Sequence, residues 1–167
     1  YEMTSSLVGS EMCIRDRLVR GRDCTAGEYS FMNTNADAWS DPTKSVACQC
    51  STSGLLSGYC ARKGLPADAP MDGRIFFEAV HAGETEANET LRSFCRAVAV
   101  QIYNLNVLLD LEKVAIGGGI SRQGERLLAP IRAYVAANCF GGHDRTPPVI
   151  ECARLGNEAG IIGAAAL

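Results

Sequence analysis

Lys113-Val114-Ala115-Ile116-Gly117-Gly118-Gly119-Ile120-Ser121 sets one charge, three apolar residues and three glycines in a row. Val-Ala-Ile, preceded by a charge and stopped by glycine, predicts a short strand over Lys113 to Ile116. Beyond it, Leu127, Leu128, Ile131, Tyr134 and Val135 fall at helical spacing, which predicts a helix from Arg122 to Asn138. Pro130 should kink or restart that helix, because it has no donor N–H. The three glycines therefore sit between the carboxyl end of a strand and the start of a helix. Ligands of open α/β sheets bind at that edge. Glycine lets backbone approach a ligand without a Cβ in the way, and the first turn of a helix offers unpaired N–H groups to phosphate oxygens. No Lys-Ser/Thr pair and no third spaced glycine follows, so this is neither a Walker A loop nor the dinucleotide fingerprint. Taken alone, three glycines are equally well explained as a tight strand-to-helix turn.

Upstream lies the clearest element of the chain. Leu91, Phe94, Val98, Ile102, Leu105 and Leu109 are spaced by three or four residues, the stripe of a long amphipathic helix from Glu86 to Leu109. Thr85 is the expected N-cap, and Glu86 and Glu89 suit the positive end of the helix dipole. Val98, Ala99 and Val100 add bulk, so much of this helix should be buried. Asn104 is expected near its buried face, as a satisfied polar group. Shorter helices are predicted from Thr52 to Lys63, stopped by Gly64 and Pro66, and from Arg74 to His81, ended near Gly83. Leu18 to Arg20 reads as the end of a strand, and Ala26 to Met32 as a turn followed by a short extended piece. Asn33 to Ser45 reads as a surface loop that includes Trp39 and Pro42. After Pro147-Pro148, Val149 to Cys152 is a second strand, and a small-residue helix is expected over Ile161 to Leu167. Helix, strand, helix, strand, helix is an α/β order.

The 167 residues are 47% apolar and 21% charged, with a net charge of −3. That suits one soluble domain or part of one, and it argues against a general nucleic-acid surface, which needs excess Lys and Arg. No uncharged apolar run reaches the ~18 residues that span a bilayer, and no signal peptide is visible. A cytoplasmic setting is expected. Eight cysteines without a secretory leader read as free thiols, with Cys95 and Cys152 among apolar neighbours. His81 reads as a helix-end residue and His143 as a solvated loop residue. Residues 1–17 show neither helical nor strand periodicity. Leu7-Val8-Gly9-Ser10-Glu11-Met12-Cys13-Ile14-Arg15-Asp16-Arg17 resembles one translated frame of a sequencing-library adapter. This segment is expected to be disordered and to stand outside the fold, with the true gene cut just upstream of residue 18.

Four segments occurring in one order are more specific than any alone. They are Ala26-Gly27-Glu28-Tyr29-Ser30-Phe31-Met32, Ile102-Tyr103-Asn104-Leu105, Val114 to Ser121, and Leu155-Gly156-Asn157-Glu158-Ala159-Gly160-Ile161-Ile162-Gly163-Ala164. Together they resemble the carboxyl-terminal half of the ROK family of repressors and sugar kinases, over Leu18 to Leu167. The resemblance implies the carboxyl-terminal large-lobe portion of an actin-like, ribonuclease-H-like α/β fold, incomplete here, and a parent that phosphorylates a hexose with ATP and magnesium. It implies that Gly117, Gly118 and Gly119 lie against the nucleotide. It also implies that Glu28, matching the family's Gly-Glu-Ile-Gly-His segment, accepts hydrogen bonds from sugar hydroxyls.

The departures matter as much. Phe31 stands where that segment has its histidine. The family's zinc motif is Cys-x-Cys-Gly-x-x-Gly-Cys, but Cys48-Gln49-Cys50 is followed by Ser51-Thr52-Ser53-Gly54-Leu55. Cys60 lies too far along to replace the third cysteine. Structural zinc needs four ligands, so zinc is not expected. The family's Asp-x-Gly-Gly phosphate loop and its catalytic aspartate, the base for the sugar hydroxyl, do not occur in these residues. No catalytic residue is assigned, and this portion alone is expected to be inactive, since phosphoryl transfer depends on positioning. Two other outcomes stay open. The parent could be a sugar-responsive repressor with a helix-turn-helix, or this portion could be a binding lobe whose long helix supports a homodimer. The sugar itself is not readable.

Overall fold

The computed structural model describes residues 13–14, 17–33, 35–66, 69–138 and 146–154. The helix expected over Ile161 to Leu167, the turn before it and the loop holding His143 lie outside the described residues. The described chain forms β1 (Cys13–Ile14), β2 (Arg17–Leu18), α1 (Val46–Cys50), α2 (Thr52–Lys63), α3 (Gly73–His81), α4 (Thr85–Leu109), β3 (Lys113–Ile116), α5 (Glu125–Asn138) and β4 (Val149–Cys152). No described helix is long and apolar enough to cross a membrane.

Three helix starts have a local cause in a side-chain cap. Ser45, Ser51 and Asp72 accept hydrogen bonds from the backbone N–H groups of Cys48, Gly54 and Ile75, capping α1, α2 and α3. α4 differs from expectation: its N-cap is Glu84, not Thr85, and no side chain caps it. Glu84 is engaged elsewhere. It accepts a hydrogen bond from the Tyr59 hydroxyl at 2.7 Å and pairs with Lys63 at 3.0 Å, tying the start of α4 to α2.

The apolar stripe of α4 is the spine of the core. Leu91, Phe94, Cys95 and Ile102 are buried, with Ala87 and Ala99 filling the closest approaches. They pack with Leu55 and Tyr59 of α2, Phe76 and Val80 of α3, and Leu127, Ile131 and Val135 of α5. Phe76 is wholly buried and meets Tyr59 and Phe77 edge-on at 5.1 and 5.0 Å. The stripe fades toward the carboxyl end, where Val107, Leu108 and Leu109 are exposed, and Val100 is half-exposed rather than buried. Asn104 faces solvent, contrary to expectation. The polar core group is Asn106, whose Oδ1 accepts a hydrogen bond from Leu111 N–H and turns the chain into β3.

β3, α5 and β4 form a βαβ unit. β3 and β4 are parallel, pairing Lys113 with Val149 through Ile116 with Cys152. Ile150, Val114 and Ile116 turn toward the helices, while the Lys113–Glu151 ion pair lies on the opposite face. α5 begins at Glu125, later than expected, because Gly119–Gln123 first makes a 3-10 turn. Pro130 sits inside α5 without ending it. At the other end of the chain, Tyr29–Phe31 is a 3-10 turn rather than an extended piece. Cys13–Ile14 pairs antiparallel with Arg17–Leu18, so the described part of the first segment has local order.

Glu84 links this packing to pH. The Tyr59 hydroxyl first, and Lys63 second, hold its carboxyl below the ordinary value of 4.5. A group so lowered stabilises the fold above its unfolded value, and that contribution is lost as pH falls through the lowered folded value. The thermal midpoint of the chain should therefore fall on acidification from about pH 6, and Glu84→Gln should flatten that decline. An identical decline in the variant would show that Glu84 carries none of it.

Candidate functional site

The glycine turn lies where the sequence places it, at the carboxyl end of β3. Gly117, Gly118 and Gly119 are all exposed. Ala153 N–H donates to the Ile116 carbonyl at 2.8 Å, so the β4 ladder reaches the foot of the turn. The Ser121 hydroxyl donates to the Gly118 carbonyl at 2.8 Å, and the Cys152 thiol to the Ser121 carbonyl at 3.2 Å. The inner side of the turn is thus fixed by hydrogen bonds, and the outer side is open.

The glycines are not equivalent. Gly118 has φ 77° and ψ −179°, a conformation that is essentially reserved for glycine. Gly119 has an ordinary φ, and a Cβ built there meets nothing within 4 Å. The fold requires glycine at 118 and does not require it at 119.

A cavity of about 280 Å³ opens between α3, α4 and the first turns of α5. Val80, Leu91, Cys95 and Pro130 give it an apolar lining, and Asn88, Arg92 and Arg126 give it polar groups. Arg92 and Arg126 are exposed and have no ion-pair partner among the described residues. Arg126 stands two residues past Gly124, where the glycine turn ends. Cys95 is not a reactive thiol: burial pushes it up to about 11, and its Sγ lies 3.9 Å from the Leu127 carbonyl. The sequence signal for this cavity was slight. Two arginines beside apolar helix positions usually read as solvated surface.

Glu28 is exposed on a separate groove of about 290 Å³. Thr25, Gly27 and Tyr29 flank it on one side, and Leu105, Leu108 and Leu109 of α4 on the other. Its carboxylate accepts a long hydrogen bond of 3.5 Å from the Ser30 hydroxyl. The backbone is held by Tyr29 N–H to Gly27 carbonyl at 2.7 Å and Val46 N–H to Met32 carbonyl at 3.0 Å. Gly117, Gly118 and Gly119 are not among the residues that line this groove. The groove lies at the carboxyl end of α4, and the turn lies beyond β3, about 13 Å of strand further on.

The described cysteines are dispersed over the structure. Cys48 is exposed and Cys50 half-buried, its thiol pushed up to about 11 by burial. Leu55 is 2% exposed in the core and Phe31 is 81% exposed. Cys60 is buried in α2. No group of three His, Cys, Asp or Glu side chains suited to a metal ion occurs among the described residues. Phe31 and Leu55, at the positions of the motif's histidine and third cysteine, offer no ligand atom to zinc. His81 is exposed at the end of α3, as expected.

Residues 6–167 match the family model described as the ROK family. A β-glucoside kinase of Klebsiella pneumoniae is 28% identical over 94% of this chain and 50% of its own length. An N-acetyl-D-glucosamine kinase of Vibrio atlanticus is 28% identical over 95% of this chain and 55% of its own length. The structure superposes with a TM-score of 0.83 on a ROK family glucokinase from Streptomyces griseus in complex with glucose and AMPPNP. That match has 25% identity and covers 93% of this chain and 55% of the other. The chain thus spans about half the length of the curated relatives it matches.

Proposed function

The chain belongs to the ROK family, and on that premise we propose that it is the nucleotide-facing portion of a cytoplasmic, ATP-dependent hexose kinase. The observation that carries this is the open glycine turn above β3, where a Cβ at 119 would meet nothing within 4 Å. In this proposal the outer face of Gly117–Gly119 lies against the ribose and phosphates, with backbone N–H groups donating to phosphate oxygens. The purine reaches the cavity between α3, α4 and α5. There the Arg92 and Arg126 guanidiniums supply stacking planes and positive charge, and Val80 and Leu91 supply apolar contact. Glu28 accepts hydrogen bonds from sugar hydroxyls at its own groove. Kinase relatives of named substrate favour phosphotransfer over the repressor alternative. Magnesium would accompany the ATP phosphates and neutralise their charge; no described side chain is assigned to it.

These 167 residues hold neither an Asp-x-Gly-Gly loop nor a base for the sugar hydroxyl. They are expected to bind nucleotide without turning it over. An assay of this chain with ATP, magnesium and glucose should give no sugar phosphate, and measurable turnover would overturn the assignment of a silent portion. In a full-length protein carrying this sequence, Glu28→Gln should raise the sugar KM by about tenfold, the loss of one charge-assisted hydrogen bond. Unchanged sugar KM and kcat would remove Glu28 from the site.

A further inference from the structure

We infer that the corner joining Tyr29–Phe31, α1 and α2 is a metal-free replacement for the family's zinc clamp, and that Phe31 and Leu55 are the two side chains that make the difference. Leu55 occupies the position of the motif's third cysteine. It is 2% exposed and packs in the core with Tyr59 and Phe76. Phe31 occupies the histidine position and is 81% exposed on the surface. One missing ligand has become core, and the other has become surface.

The two remaining cysteines are not arranged to chelate. They lie two residues apart on α1, and side chains at that spacing do not face one another on a helix. Cys48 is exposed accordingly, and Cys50 is half-buried. Binding both to one ion requires the short α1 to unwind, a cost that two thiolates alone do not meet and a full set of four ligands does.

Backbone and hydroxyl groups hold the corner instead. Ser45 accepts from Cys48 N–H at 3.4 Å, and Ser51 accepts from Gly54 N–H at 3.1 Å while bonding the Ser53 hydroxyl at 2.8 Å. Asn33 and Ser45 form a β-bridge, and Val46, 1% exposed, anchors α1 in the interior. Gly54 completes the contact between helices. A Cβ at that position would stand 1.7 Å from the Cys48 carbonyl oxygen, so only glycine permits α1 and α2 to meet this closely. The second glycine of the motif is kept for packing although two of the metal's ligands are gone. This inference concerns the corner itself and holds whatever Glu28 contacts.

The test uses the whole chain, purified with zinc present and then dialysed. Wild-type protein should carry essentially no zinc, and a chelator should leave its thermal midpoint unmoved. Phe31→His/Leu55→Cys should gain about one zinc per chain, show thiolate-to-metal absorption with cobalt, and lose thermal stability on chelation. About one zinc per wild-type chain, with a midpoint lowered by chelator, would overturn the inference. So would a double variant that folds, by circular dichroism, yet takes up no metal. Should the double variant fail to fold, the wild-type metal content and chelator response decide alone.

Discussion

Gly119→Val is expected to weaken binding of a non-hydrolysable ATP analogue at least about tenfold, a loss of about 1.4 kcal/mol, while leaving the fold intact. The stability side follows from local geometry. Gly119 has ordinary φ, and its Cβ position is open to solvent. A Cβ there meets no neighbour, and replacing glycine restricts the unfolded chain, a gain of about 0.4–1 kcal/mol for alanine where the backbone is compatible. The binding side follows from the proposed site. If phosphate or ribose lies against the turn, branched methyl groups occupy its space. Gly118→Ala is the necessary contrast. Its positive φ strains any side chain by about 1–3 kcal/mol, so loss of binding there reports on folding as much as on contact. Isothermal titration together with thermal melts separates the two. Equal nucleotide affinity in Gly119→Val and wild type would place the ligand elsewhere.

Phe76→Ala is expected to have the largest effect on stability, about 3–5 kcal/mol. Phe76 has no exposed surface, and its ring is gripped edge-on by Tyr59 and Phe77. Removing it forfeits the transfer free energy of the ring, leaves a cavity, and breaks two aromatic contacts. A domain of this kind has about 5–15 kcal/mol in total, so much of its margin disappears. Val80, one turn further along α3, lines the cavity between α3, α4 and α5, so under the proposed function the variant should also bind nucleotide less well. Denaturant unfolding that shows a loss below about 1 kcal/mol would mean that α3 is not part of the central core.

Much of this architecture is legible in the residues. The α4 stripe, the strands Lys113–Ile116 and Val149–Cys152 and the helix Thr52–Lys63 emerge from spacing and punctuation alone, because burial selects apolar residues at the period of the element. Boundaries set by hydrogen bonds were less visible. Thr85 is a good cap by type, yet Glu84 takes the position while its carboxylate serves Tyr59 and Lys63. Asn104 and Asn106 are chemically alike, and only the bond from Leu111 N–H selects Asn106 for the interior. Glu28 and the glycines carry their signal in local sequence, and the fold leaves all of them exposed. Arg92 and Arg126 come together only when α4 and α5 pack, and no short motif announces them. Val46–Cys50 was obscured for another reason: a cysteine pair draws attention as ligands, whereas Ser45 makes it a capped helix.

The most direct test is amide chemical-shift mapping of this chain titrated with AMPPNP in the presence of magnesium. Shifts are expected at Gly118, Gly119 and Ile120, continuing to Arg126 and to Arg92 across the cavity. A folded chain whose amides at these positions stay still at saturating nucleotide, or move only at the far end of α4, would contradict the assignment.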